Sequence, residues 1–130
     1  MSIATQLESI RARIAAAEAR AGRAPGSVTL LAVSKTFPAQ DVAAAYAAGQ
    51  RLFGENRLQE AMEKMPALPE DCSWHLIGPL QRNKVRKTLE QGLSLIQAVD
   101  SLKLAQAVSR IAAELGKTAD IGYFSQRKGL

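Results

Sequence analysis

The chain predicts a parallel α/β fold, wound like the first half of an eightfold (β/α) barrel. Three observations lead there. Residues Ser27 to Ser34 form a near-continuous apolar and β-branched run, the pattern of a strand covered on both faces. Strand-like and helix-like segments then alternate through the chain, which implies parallel βα units with right-handed crossovers. A closed barrel takes about 250 residues, and 130 cannot complete one. An open doubly wound sheet is the structural alternative.

The segment Ser2 to Ala21 carries Ile3, Leu7, Ile10, Ile14 and Ala17 three or four residues apart, one apolar stripe on an amphipathic helix, with Arg11, Arg13, Glu18 and Arg20 elsewhere. Gly22 and the Ala24-Pro25-Gly26 turn end it. After the strand at Ser27 to Ser34 come Lys35 and Thr36, then Pro38 at the start of an alanine-rich helix, Ala39 to Ala48, closed by Gly49. Arg51 to Gly54 reads as a second strand and Arg57 to Met65 as a helix stopped by Pro66 and Pro69. Ser73 to Ile77 is a third strand, Gly78-Pro79 a turn, and Gln81 to Gln91 a helix ended by Gly92. Leu95 to Val99 is a fourth strand and Leu102 to Leu115 a helix ended by Gly116, after which Ala119-Asp120-Ile121 begins a fifth strand. The expected organisation is one domain unit over residues 1–121 and an aberrant tail over 122–130, as in a truncated or frame-shifted product.

Composition bounds the function. Hydrophobic residues make up 47% and aromatics 5%, which favours a globular fold of closely packed helices over disorder or a β sandwich. The net charge of +5 permits anionic partners without selecting one. A single cysteine, Cys72, rules out an internal disulfide framework and fits a reducing cytoplasm. No signal-peptide core and no apolar run of about 18 residues is visible, so a soluble, cytoplasmic protein is expected.

In parallel barrels the working groups lie at the carboxyl ends of the strands. Those positions hold Lys35 and Thr36, Glu55 and Asn56, Gly78, and Asp100 and Ser101, with His75 inside the third strand. Lys35 is the most informative. A lysine directly after an apolar strand is expected to be partly desolvated, which disfavours the ammonium and makes the amine a nucleophile for a carbonyl. The competing reading is a lysine that extends to solvent. Gly49 to Gly54 has the glycine spacing of a phosphate-binding loop, but Glu55 stands where lysine is required. One histidine and one cysteine exclude an ordinary metal site or Cys-His nucleophile. Arg82, Lys84, Arg86 and Lys87 spread around a helix with no aromatic platform, which reads as a solvated face and not a nucleic-acid surface.

Three blocks carry a resemblance: Leu30-Leu-Ala-Val-Ser-Lys35-Thr36, Gly49-Gln-Arg-Leu-Phe-Gly-Glu-Asn56, and Trp74-His-Leu-Ile-Gly-Pro-Leu-Gln-Arg-Asn-Lys84. In order and spacing they resemble the YggS/PROSC family, over most of the chain to about Ile121. The resemblance implies an alanine-racemase-like (TIM-type) barrel that holds pyridoxal 5′-phosphate as a Schiff base on Lys35 and works in vitamin B6 homeostasis without efficient catalysis. It suggests Asn56 and His75 as neighbours of the cofactor; the alternative for His75 is a hydrogen-bonded core residue. Full-length relatives are expected to be monomers, and a half-barrel to self-associate through its open edge. The family's phosphate-binding segments fall in later strands that have no counterpart in this sequence. A racemase-like enzyme would need a second acid–base group. Tyr46, within a helix, and Tyr123, in the tail, are poor candidates. A fragment without function of its own is the remaining alternative.

Overall fold

A computed structural model of the chain describes residues 2–123. Helix α1 (Ile3–Arg20) starts where Ser2 Oγ accepts a hydrogen bond from the Thr5 amide, satisfying one of the amides a helix start leaves free. Its apolar stripe is only partly covered. Leu7 is buried but Ile10 is 39% exposed. The buried polar residue of this helix is Glu18, which the sequence assigned to the solvated face. Its carboxylate accepts from the amides of Gly26 and Val28 and from the Ser27 hydroxyl, fastening the loop that leads to the first strand.

That strand, β1 (Ala32–Val33), is much shorter than the Ser27 to Ser34 run. Among the described residues it pairs only with β2 (Leu52–Glu55). Backbone groups ahead of it are satisfied by side chains, with Gln50 Nε2 donating to the Leu30 carbonyl (2.8 Å). The expected coverage of both faces is not realised, because Val33 is 48% exposed at a sheet edge.

The remaining units follow the predicted order. Helix α2 (Ala39–Ala47) begins after Pro38, and α3 (Leu58–Lys64) follows β2 and runs into a 3₁₀ turn at Met65–Ala67. Strand β3 (Ser73–Leu76) is followed by a 3₁₀ turn at Arg82–Lys84 that leads into α4 (Val85–Glu90), so only part of the expected Gln81 to Gln91 helix is α-helical. Strand β4 (Leu95–Val99) leads to α5 (Leu102–Leu115), capped by Ser101 Oγ on the Leu104 amide and closed by Gly116 at φ 65°.

Strand β5 (Ile121–Tyr123) runs two residues past the expected end of the domain unit. Gly122 suits it, since a Cβ there would press on the Gln97 backbone oxygen at 3.0 Å. The rest of the anticipated tail, 124–130, lies outside the described residues.

All five strands are parallel and lie in the order β1-β2-β3-β4-β5. Each crossover reaches the next neighbour with no reversal of direction. This is the winding of a barrel, and it removes the doubly wound alternative, whose strand order reverses.

Strand parity sorts the side chains. Phe53, Trp74, Leu76 and Ile96 face the helices and are buried. Phe53 and Trp74 stack with ring centroids 5.3 Å apart in a cluster with Leu7 and Val42. Leu76 and Ile96 join Val85, Leu89, Leu104, Val108 and Ile111 in a second cluster. The opposite face, the inner face of the winding, carries Val33, Gly54, His75 and Leu95 in register across β1 to β4, with Gln97 two residues further along β4.

Candidate functional site at the ends of the first strands

Register aligns inner-face positions of the first three strands. Val33 pairs with Gly54, and Gly54 with His75. Lys35 and Asn56 follow two residues after Val33 and Gly54, just past the ends of β1 and β2, Lys35 in a turn and Asn56 in a bend. A Cβ at Gly54 would touch Leu31 at 3.2 Å and Ile77 at 3.3 Å, so the absence of one keeps this face shallow. Gly78 performs a related task, since a Cβ there would overlap the Asn56 backbone oxygen and side-chain amide. The glycine of the third block thereby lets the third strand's loop close against Asn56.

His75 is half-buried, and burial lowers its pKa from 6.5, so the ring is neutral at pH 7. Gln97 Nε2 lies 2.9 Å from His75 Nδ1. An amide nitrogen only donates, so Nδ1 accepts and Nε2 carries the proton. The histidine is a hydrogen-bonded residue of the inner face and not of the helix-facing core.

Lys35 is exposed. The desolvation inferred from the apolar run before it does not occur among the described residues. The reason is the edge position of β1, where Val33 is 48% and Phe37 55% exposed.

Other strand-end groups do not join this site. Asp100 is exposed, and Ser101 is engaged as the α5 cap. Glu55 has the opposite parity to Asn56 and is 0% exposed, directed into the helix layer. There it meets a lysine that sequence reasoning missed. Lys64 Nζ, from α3, lies 2.8 Å from Glu55 Oε1 and 2.9 Å from Glu60 Oε1, and donates to the Ser34 carbonyl at 2.6 Å. Ser34 Oγ donates to the same Glu55 oxygen at 2.6 Å. Glu60 also accepts from the Thr36 amide at 2.5 Å.

Burial opposes the charge on Lys64, but hydrogen bonds to Glu55 and Glu60 outweigh it and raise the lysine's pKa. The bonds from Lys64 and the Thr36 amide lower that of Glu60. The sequence signal was the i, i+4 spacing of Glu60 and Lys64, which does not reveal that the pair is turned inward.

Two features of this network are costly. Among the described residues Glu55 Oε2 has no hydrogen-bond partner, a loss of about 1–3 kcal/mol for a buried acceptor. Thr36 sits at φ 68°, a left-handed conformation that a β-branched residue adopts at a penalty of about 1–3 kcal/mol.

Known proteins share this fold. The model of the alanine racemase N-terminal domain family matches residues 5–123. The chain belongs to this family. Among curated relatives, the pyridoxal phosphate homeostasis protein of Pseudomonas aeruginosa is 49% identical over 109 residues, and that of Escherichia coli K12 46% over 107. These alignments cover 83% and 79% of this chain but 47% and 45% of the relatives, so the chain spans about half their length. PipY of Synechococcus elongatus, solved with pyridoxal phosphate bound, superposes with a TM-score of 0.76 at 46% identity, covering 92% of this chain and 52% of that one. The same protein without pyridoxal phosphate gives 0.78 at 41% identity, covering 95% and 59%. The five-stranded parallel winding is thus the fold of this family's barrel members over that span.

The cationic residues Arg82, Lys84, Arg86 and Lys87 are all exposed, and Arg86 pairs with Glu114 of α5, as befits a solvated face. No helix among the described residues is long and apolar enough to cross a membrane.

Proposed function

We propose that this chain binds pyridoxal 5′-phosphate through Lys35 and serves vitamin B6 homeostasis, as the names of its relatives indicate for them. One observation carries the reading: an exposed primary amine in the turn directly after β1, on a sheet whose inner face holds a neutral, hydrogen-bonded imidazole two strands away. It occurs in a chain 46% identical to a protein solved with pyridoxal phosphate bound.

The donor set fits the aldehyde end of the group. Its aldehyde would supply an electrophilic carbon, and Lys35 is the primary amine that would hold it. Asn56, after the neighbouring strand, would offer a carboxamide to the group, and His75 Nε2–H a donor from the sheet floor. Lys64 does not compete, since two carboxylates hold it as an ammonium. In complete (β/α) barrels the phosphate site sits at the loops after strands seven and eight. The five strands described here correspond to the half that would bear the amine.

The reading is a carrier and not a racemase. Racemisation needs a second acid–base group across the cofactor. The Tyr46 hydroxyl donates to Asp71 at 2.7 Å and its ring lies 3.7 Å from the Arg51 guanidinium, with the side chain packed against the helix-facing cluster. The lone cysteine Cys72 supports a cytoplasmic setting. Titration with pyridoxal phosphate tests the proposal: a visible absorption band that disappears in Lys35→Ala is expected, and a band of equal strength in that variant refutes it.

A further inference from the structure

The segment bearing Lys35 is held from below on both sides. Ser34 is tied through its hydroxyl to Glu55 and through its carbonyl to Lys64, and Thr36 through its amide to Glu60. The Phe37 amide also donates to the Ser34 carbonyl at 3.1 Å, closing a four-residue turn. Lys35 and Thr36 are its central residues, and the positive φ of Thr36 is what a type II turn requires at that place. Glycine is the ordinary residue there; threonine persists only where surrounding contacts over-determine the backbone. Those contacts come from two adjoining elements. Glu60 and Lys64 lie on α3 and Glu55 ends β2, with Glu55 0% and Lys64 6% exposed.

We propose that the Glu55–Lys64–Glu60 network is a positioning device for Lys35, fixing the backbone at Ser34 and Thr36 so that an otherwise unpacked amine leaves the strand end in one direction. The inference rests on the reading of Lys35 as the pyridoxal phosphate lysine and extends it to residues that never touch the cofactor. An exposed lysine has no packing to orient it, and its four-carbon stem is flexible. Fixing its backbone is then the means left for aiming it, and small errors of placement have large effects on reaction rate.

The test is the rate at which pyridoxal phosphate and a mild hydride reductant label each lysine of the whole chain, read by peptide mass spectrometry. Glu60→Ala removes the acceptor for the Thr36 amide and is expected to slow labelling of Lys35 about tenfold, while exposed Lys103 labels as before. Glu60→Gln keeps an acceptor oxygen and is expected to restore most of the rate. Unchanged Lys35 labelling in Glu60→Ala overturns the positioning role and leaves the cofactor reading intact. A wild-type chain that labels elsewhere overturns both. Should Glu60→Ala fail to fold, Glu60→Asp decides. It keeps a carboxylate on α3 but draws the acceptor one methylene back from the Thr36 amide, so slower Lys35 labelling at undiminished thermal stability is expected. A wild-type rate in that variant rejects the proposal.

Discussion

At the residue scale, the site is a division of labour between parities. Glu55 and Asn56 are adjacent in sequence, yet one is 0% exposed against the helices and the other is half-buried against Gly78. The same alternation separates Ser34, buried and bonded to Glu55, from Lys35, exposed. His75 yields a pH prediction. Its pKa in the fold is depressed below 6.5 by burial, so the unfolded chain binds the proton more readily. The resulting stability is present above pH 6.5 and is lost as pH falls toward the folded value. His75→Gln should flatten that part of the stability–pH curve, as measured by denaturant unfolding at stepped pH. A slope identical to wild type would show that another group titrates there.

At the element scale, α3 is the strut of the amine-bearing turn. Lys64→Met leaves the buried Glu55 carboxylate without its cation and should cost about 3–5 kcal/mol, seen as a lower midpoint of urea unfolding. A loss below about 1 kcal/mol would mean that the pair is hydrated in solution. The linkage runs in both directions of pH. The raised pKa of Lys64 confers stability that is complete below 10.5 and lost as pH rises through the folded value. The lowered pKa of Glu60 confers stability present above 4.5 and lost as pH falls. At α5, Ser101→Ala removes the cap on Leu104 and should cost about 1 kcal/mol.

The helices and their order were legible in the sequence because Pro38, Gly49, Gly92 and Gly116 mark their ends and the apolar periods between them are clear. Lys35, Asn56 and His75 were legible as strand-end or strand-interior polar residues. The extent of β1 was not, since composition records apolar character but not which neighbour a strand finds, and an edge strand exposes Val33. Nor was the inward turn of Glu55 and Lys64, which depends on contacts 9 to 30 residues apart in sequence.

At the scale of the whole molecule, the described sheet has two open sides, β1 and β5, each paired with one neighbour. Val33, Phe37 and Ile121 are 48%, 55% and 43% exposed near them. Unpaired strand edges beside apolar surface recruit further strands. Sedimentation velocity over a range of concentrations should therefore reveal self-association, and a monomer at every concentration would show these edges to be protected. The described sheet thus combines a packed helix layer with a more exposed inner face.

The most direct measurement of the central claim is to saturate the chain with pyridoxal phosphate, reduce with borohydride and locate the adduct by peptide mapping. The account predicts a single dominant pyridoxyl modification on Lys35. Modification spread evenly over the exposed lysines, or concentrated on a different one, would contradict it.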